Sequence, residues 1–216
     1  MKIELMNIAN EVAGKLLQIN AVKLSPQNPF TWASGIKSPI YCDNRLVLSF
    51  PAVRTFVIQA FVDKAAQFEP FDIVAGVATA GIPHGALLAD RLEKPFIYVR
   101  EKAKSHGRQN QIEGNITEGA RILLVEDLIS TGGSSLKAVE TLREAGCVVV
   151  GVLAIFSYGF QIAEDVFQAA NCPFDTLSNY NVLVEKAISM QYIAPNDVVT
   201  LENWRISPSE WGINLK

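Results

Sequence analysis

Two adjacent carboxylates, Glu126 and Asp127, are closely followed by Ser130, Thr131, Gly132, Gly133, Ser134 and Ser135. Hydroxyls and unencumbered backbone N–H groups at the start of a helix make an anion cradle. Glycine lets the backbone approach a phosphate, successive N–H groups point at it, and the helix dipole adds roughly half a positive charge. Glycine and serine also serve as ordinary helix caps; the acidic pair is what favours a ligand site. Two carboxylates beside a phosphate cradle suit sugar hydroxyls and a Mg²⁺ ion, which prefers oxygen ligands and is commonly shared among carboxylates, waters and substrate phosphates. The stretch is not a Walker motif, because no Gly-Lys-Ser/Thr follows and Lys137 lies too late in the helix.

These groups need a strand before them and a helix after them, and the chain supplies both. Residues 122–125 are an apolar β-branched run suited to a strand buried on both faces, closed by the two carboxylates. Leu136, Val139 and Leu142 then recur at helical spacing up to Gly146, a natural C-cap. Residues 72–85 repeat the pattern, with Gly76, Thr79 and Gly81 in the turn and His84 in the following helix as a structural hydrogen-bonder. Strands are also expected at 96–99 and 147–156, and helices at 51–68, 162–170 and 182–190, the last two joined by 174–177. Strands alternating with helices predict an α/β fold, a parallel sheet flanked by helices. Residues 1–50, interrupted by Pro26, Pro29 and Pro39, read as a hood over a core of 51–192, with 193–216 as a tail carrying Trp204 and Trp211, all in a single structural unit.

Composition narrows the function further. The chain has 216 residues, 49% hydrophobic and 19% charged, with a net charge of −3; it is long enough to bury most of its extended-chain surface. An acidic balance offers no general attraction to nucleic acid. There is no apolar run of membrane-spanning length. The first seventeen residues mix acidic and apolar side chains as an amphipathic helix does, unlike a signal peptide, and three scattered cysteines suggest neither a disulfide framework nor a metal site. The expectation is a cytoplasmic protein without nucleic-acid or membrane partners. Residues 100–119 lack apolar periodicity yet carry Arg100, Lys102, Lys104, His106 and Arg108. That pattern fits a solvated loop or a basic lid over an anion, and the cradle favours the lid.

The segment VEDLISTGGSS resembles the phosphoribosyl pyrophosphate (PRPP) motif of the type I phosphoribosyltransferases. With FTWASGIKSPIY at 30–41 and YVREKAKSHG at 98–107, the resemblance narrows to the orotate phosphoribosyltransferase family across nearly the whole chain. It implies a type I phosphoribosyltransferase-like parallel sheet with a small N-terminal hood, transfer of phosphoribosyl from PRPP to orotate, and a Mg²⁺ cofactor. It also implies a homodimer whose mobile loop, 100–119, is shared across the interface. By the same resemblance Lys104, Arg100, His106 and Asp127 are catalytic. PRPP would be held by Arg100, Lys104, His106, Glu126, Asp127, Leu128, Ile129, Ser130, Thr131, Gly132, Gly133 and Ser134, and orotate by Ser130 and Tyr41. Glu126 and Asp127 would serve the metal indirectly, through water or PRPP. The chain departs from the family's enterobacterial pattern, which has lysines where Ala33, Ala80 and Glu101 stand and two phenylalanines at Tyr41 and Cys42. Rival readings are the same chemistry on another base, such as a purine or xanthine, and a PRPP-sensing regulator without catalysis.

Overall fold

The apolar runs pair into a sheet because each is too hydrophobic to face water on either side. In a computed structural model of the chain, which describes residues 2–32, 35–101 and 111–211, helix α1 (Lys2–Gln18) leads into short strands β1 (Val22–Leu24), β2 (Phe30–Thr31), β3 (Lys37–Ser38) and β4 (Ile40–Cys42). A 3₁₀ turn, Asn44–Ser49, precedes α2 (Pro51–Ala65). Then follow β5 (Ile73–Val77), α3 (Gly81–Leu92), β6 (Phe96–Val99), β7 (Ile112–Glu113), β8 (Arg121–Ile129), α4 (Gly133–Glu144), β9 (Val148–Ser157) and α5 (Gln161–Ala169). The last elements among the described residues are β10 (Phe174–Asn179), α6 (Tyr180–Ser189), α7 (Asp197–Ile206) and α8 (Pro208–Trp211).

The main sheet has the order β10-β9-β8-β5-β6-β7, parallel throughout except for β7 on β6. The chain leaves β5 for β6 on one side and β8 for β9 on the other, so the order reverses between β5 and β8. Ligands of open parallel sheets bind in the crevice at such a point, beyond the carboxyl ends of the strands. Register brings those ends level, with Gly76 opposite Val125 and Glu126 opposite Ala154. Side chains alternate across β8: Leu123 and Val125 enter a core shared with α1, α2, α3, α6 and α7, whereas Ile122 and Leu124 enter a second core under α4 and α5.

Several expectations need correction. Glu126 and Asp127 do not close a four-residue strand. Pairing with β9 continues to Ile129 opposite Ser157, so both carboxylates belong to β8. Residues 174–177 are no mere joint, since β10 runs six residues and pairs with β9. The stretch 100–119 is not all loop: Ile112 and Glu113 add an antiparallel edge to β6. In the tail, Trp204 is fully buried, a center of edge and tilted ring contacts with Trp32, Tyr158, Phe160 and Tyr180 at 5.5–5.8 Å. His84 is also fully buried, but among the described residues neither ring nitrogen finds a hydrogen-bond partner. Burial alone lowers its pKa to about 4, so it is a neutral core residue and not the hydrogen-bonder expected.

Candidate active site

At the end of β8 the two acids sit where the sheet is least able to hydrate them. Glu126 is 5% exposed, and burial first, then the charge of Asp127, pushes its carboxyl well above the usual range. Asp127 is pushed the same way by burial, with its hydrogen bond to Glu126 and the more distant charge of Arg45 pulling it back. Carboxylates raised by desolvation favour a proton or a cation. The Ser135 hydroxyl, fully buried, pulls the Glu126 carboxyl part of the way back down.

The cradle follows directly. Gly132 adopts φ +84°, a left-handed conformation that favours glycine, and a Cβ there would come within 2.9 Å of the Phe167 ring. This turn starts α4, whose N-cap, Gly132, has no side chain to cap the first-turn donors. Nothing would lie within 4 Å of a Cβ on Gly133 either, which leaves the approach open. Thr131, Gly133 and Ser134 are exposed. Ile129, in contrast, keeps its side chain in the core, and its carbonyl accepts the Tyr158 N–H at 3.2 Å. Gly81 lies so close to β8 that a Cβ would strike the Val125 carbonyl, which draws the β5–α3 turn against the acidic strand end.

Next to the cradle is a cavity of about 330 Å³ between the ends of β5 and β6 and the first turns of α4, lined by residues including Arg100, Gly133, Ser134 and Lys137. Arg100 pairs with Glu113 at 3.3 Å, and its backbone N–H donates to the Gln111 carbonyl at 2.8 Å. Lys104 and His106 lie outside the described residues, as do Ala33 and Ser34. Lys137, set aside above as a Walker lysine, lines the same cavity from one turn into the helix.

On the opposite flank the hood meets the acids. Asn44 is fully buried and donates through Nδ2 to the Asp127 carbonyl at 2.7 Å. Tyr41, 38% exposed, leans on Phe30 with ring centroids 5.8 Å apart. Burial, followed by the charges of Asp127 and Asp43, pushes the Cys42 thiol up. Asp43 grips the Arg45 guanidinium through Nε at 2.7 Å and Nη2 at 3.0 Å. Sequence reasoning passed over Asn44 and the Asp43–Arg45 pair. An acid and a guanidinium two residues apart was the one local signal for the pair, and the Asn44 contact spans 83 residues.

Among the described residues no group of three or more His, Cys, Asp or Glu side chains gathers around a common point. The acidic pair could therefore hold Mg²⁺ only together with substrate oxygens and water. Two desolvated carboxylates with oxygen donors alone fit that manner of binding.

Comparison with known proteins agrees with this geometry. The phosphoribosyl transferase domain model matches residues 49–185. An orotate phosphoribosyltransferase of Listeria innocua is 52% identical over 208 residues, covering 96% of this chain and 100% of that protein. One from Cytophaga hutchinsonii is 54% identical over 207 residues, covering 95% and 99%. The crystal structure of orotate phosphoribosyltransferase from Aeropyrum pernix superposes with a TM-score of 0.74 at 29% identity, over 85% of this chain and 99% of that one. Identity above one half along nearly the entire length, on a sheet whose reversal point carries an acidic pair and a glycine-rich helix start, places this chain in the orotate phosphoribosyltransferase family.

Proposed function

We propose that the chain transfers the phosphoribosyl group of PRPP to orotate, giving orotidine 5′-phosphate and pyrophosphate for pyrimidine nucleotide synthesis. The observation that carries this reading is the junction of β8 and α4: two desolvated carboxylates running within one turn into uncapped helix donors. In the reaction, C1′ of PRPP loses pyrophosphate while developing positive charge, so the site must stabilise the leaving group and exclude water.

Thr131, Gly132, Gly133 and Ser134 hold the 5′-phosphate on the first turn of α4, and Glu126 and Asp127 take the ribose hydroxyls. Leu128 and Ile129, the last residues of β8, carry the backbone from the acids to the cradle, and Ser130 faces the base together with Tyr41. Arg100, beside the cavity, serves the pyrophosphate, with Lys104 and His106 of the same basic segment. Lys104 is the group that offers charge or a proton to the departing oxygen. Glu126 and Asp127 would hold Mg²⁺ through water or PRPP oxygens, and the ion would supply further positive charge to stabilise the leaving group. A homodimer in which the basic segment of one subunit serves the other completes the reading. The test is direct: with protein, PRPP and Mg²⁺ present, orotate absorbance is expected to fall with matching release of pyrophosphate. No loss of orotate, or equal consumption of a purine base, would overturn the assignment.

A further inference from the structure

We propose that Arg45 is the specificity-determining residue that recognises the carboxylate of the base, through the guanidinium N–H groups that Asp43 leaves free. The inference rests on the orotate reading above and adds the group that selects an acidic pyrimidine. Orotate differs from uracil by a single carboxylate, so a site that prefers orotate must present a cation to that substituent.

The placement of Arg45 follows from its neighbours. Asn44 is clamped to the Asp127 carbonyl at 2.7 Å and is fully buried, so the residue after it emerges at the hood side of the acidic strand end. Tyr41, the exposed aromatic of β4, lies four residues earlier on the same flank. Arg100, by contrast, occupies the other flank with the α4 cavity. The two cations thus bracket the acids, one toward the pyrophosphate side and one toward the hood.

Chemistry fits the assignment. A guanidinium has five N–H donors in a fixed fork. Asp43 takes Nε at 2.7 Å and one Nη2 donor at 3.0 Å, so three remain, and the Arg45 side chain is 64% exposed. Asp43 also accepts the Arg45 backbone N–H at 3.3 Å. The fork is therefore oriented before substrate arrives, which reduces the ordering needed on binding. The hydrogen bond to Asp43 first, then the charge of Asp43, with smaller contributions from the charges of Tyr41 and Asp127, raises Arg45 above the usual guanidinium range. Arg45 in turn holds down part of the rise at Asp127, so the guanidinium lies within electrostatic reach of both groups. As a surface ion pair alone, Asp43–Arg45 would contribute little to folding.

Steady-state kinetics with orotate and with uracil as alternative acceptors, at saturating PRPP and Mg²⁺, separate the possibilities. Arg45→Gln is expected to raise KM for orotate about 10- to 100-fold, the range for losing a hydrogen bond to a charged group. Its kcat/KM for uracil and KM for PRPP should stay within about twofold of wild type, so the orotate preference collapses. Arg45→Lys should restore part of the orotate affinity, and Asp43→Asn, which keeps the cation but loosens it, should give a smaller rise. An unchanged orotate-to-uracil ratio in Arg45→Gln, or parallel loss of orotate and PRPP, overturns the proposal while leaving the activity in place. If the wild-type protein consumes no orotate, the functional reading fails first and takes this inference with it. Melting curves of each variant show whether a loss reflects unfolding.

Discussion

At the scale of single residues, Glu126 concentrates the conflict between stability and function. Its carboxyl is raised by burial, so the unfolded chain ionises at a lower pH than the folded one. Stability tied to this group is fully present below its ordinary value of 4.5 and is lost as pH rises through the raised folded value. Glu126→Gln is therefore expected to melt higher than wild type at neutral pH, with the difference vanishing in acid, while binding of PRPP with Mg²⁺ weakens. A variant that melts lower at neutral pH would show that the carboxylate is a structural element. His84 has the opposite sign. With a pKa lowered from 6.5 to about 4, it contributes stability above 6.5 that is lost as pH falls toward 4. His84→Leu should flatten that acid-side decline, which for a shift of this size is on the order of 3 kcal/mol. Urea midpoints across that pH interval measure it, and an unchanged slope would place the decline elsewhere.

At the scale of elements, α7 acts as a wedge holding the hood. Trp204 touches Trp32 from the hood, Tyr158 from the end of β9 and Tyr180 from α6, while Trp32 stacks on Tyr158 at 5.7 Å and donates Nε1–H to the Ile40 carbonyl at 3.1 Å. Trp204→Ala is expected to cost about 3–5 kcal/mol in urea unfolding, the usual range for removing a buried tryptophan. It should also raise KM for orotate, because the strand bearing Tyr41 rests on this cluster. A loss below about 1 kcal/mol would mean that the tail is only draped over the surface. The importance of α7 was not legible in the sequence, where two tryptophans in a polar tail fit a partner contact as well as an internal one. Strands β5, β8 and β9 were legible because parallel strands buried on both faces are continuously apolar. β10 was not, since FDTLSN mixes polar residues in an edge strand that pairs on one side only. The acidic pair and the cradle could be read because they are contiguous, whereas the bond from Asn44 to Asp127 depends on a fold that brings together residues 83 positions apart.

At the scale of the whole molecule, the proposed sharing of the basic segment between two subunits is constrained by the frame around it. The Arg100 N–H to Gln111 carbonyl bond closes the segment at its base. The roughly eleven steps from 100 to 111, leaving and returning to one point, reach out no more than roughly 20 Å, since each extended residue spans at most about 3.3–3.6 Å. That is shorter than a loop hinged at 100 and 119 would allow, so in the proposed dimer the partner's cradle would have to lie close to the interface. Lys104→Ala alone is expected to lower kcat by about 10²- to 10³-fold, as loss of a charge-stabilising contact commonly does, with PRPP binding far less affected; Asp127→Asn should weaken PRPP binding without unfolding. When the two variants are mixed and exchange subunits, each mixed dimer of the shared arrangement contains one doubly defective site and one intact site. Half of the dimers in a random equal mixture are mixed, so activity should return to roughly a quarter of the wild-type value. If mass measurements confirm exchange and activity stays at the level of the parents, the segment serves its own subunit.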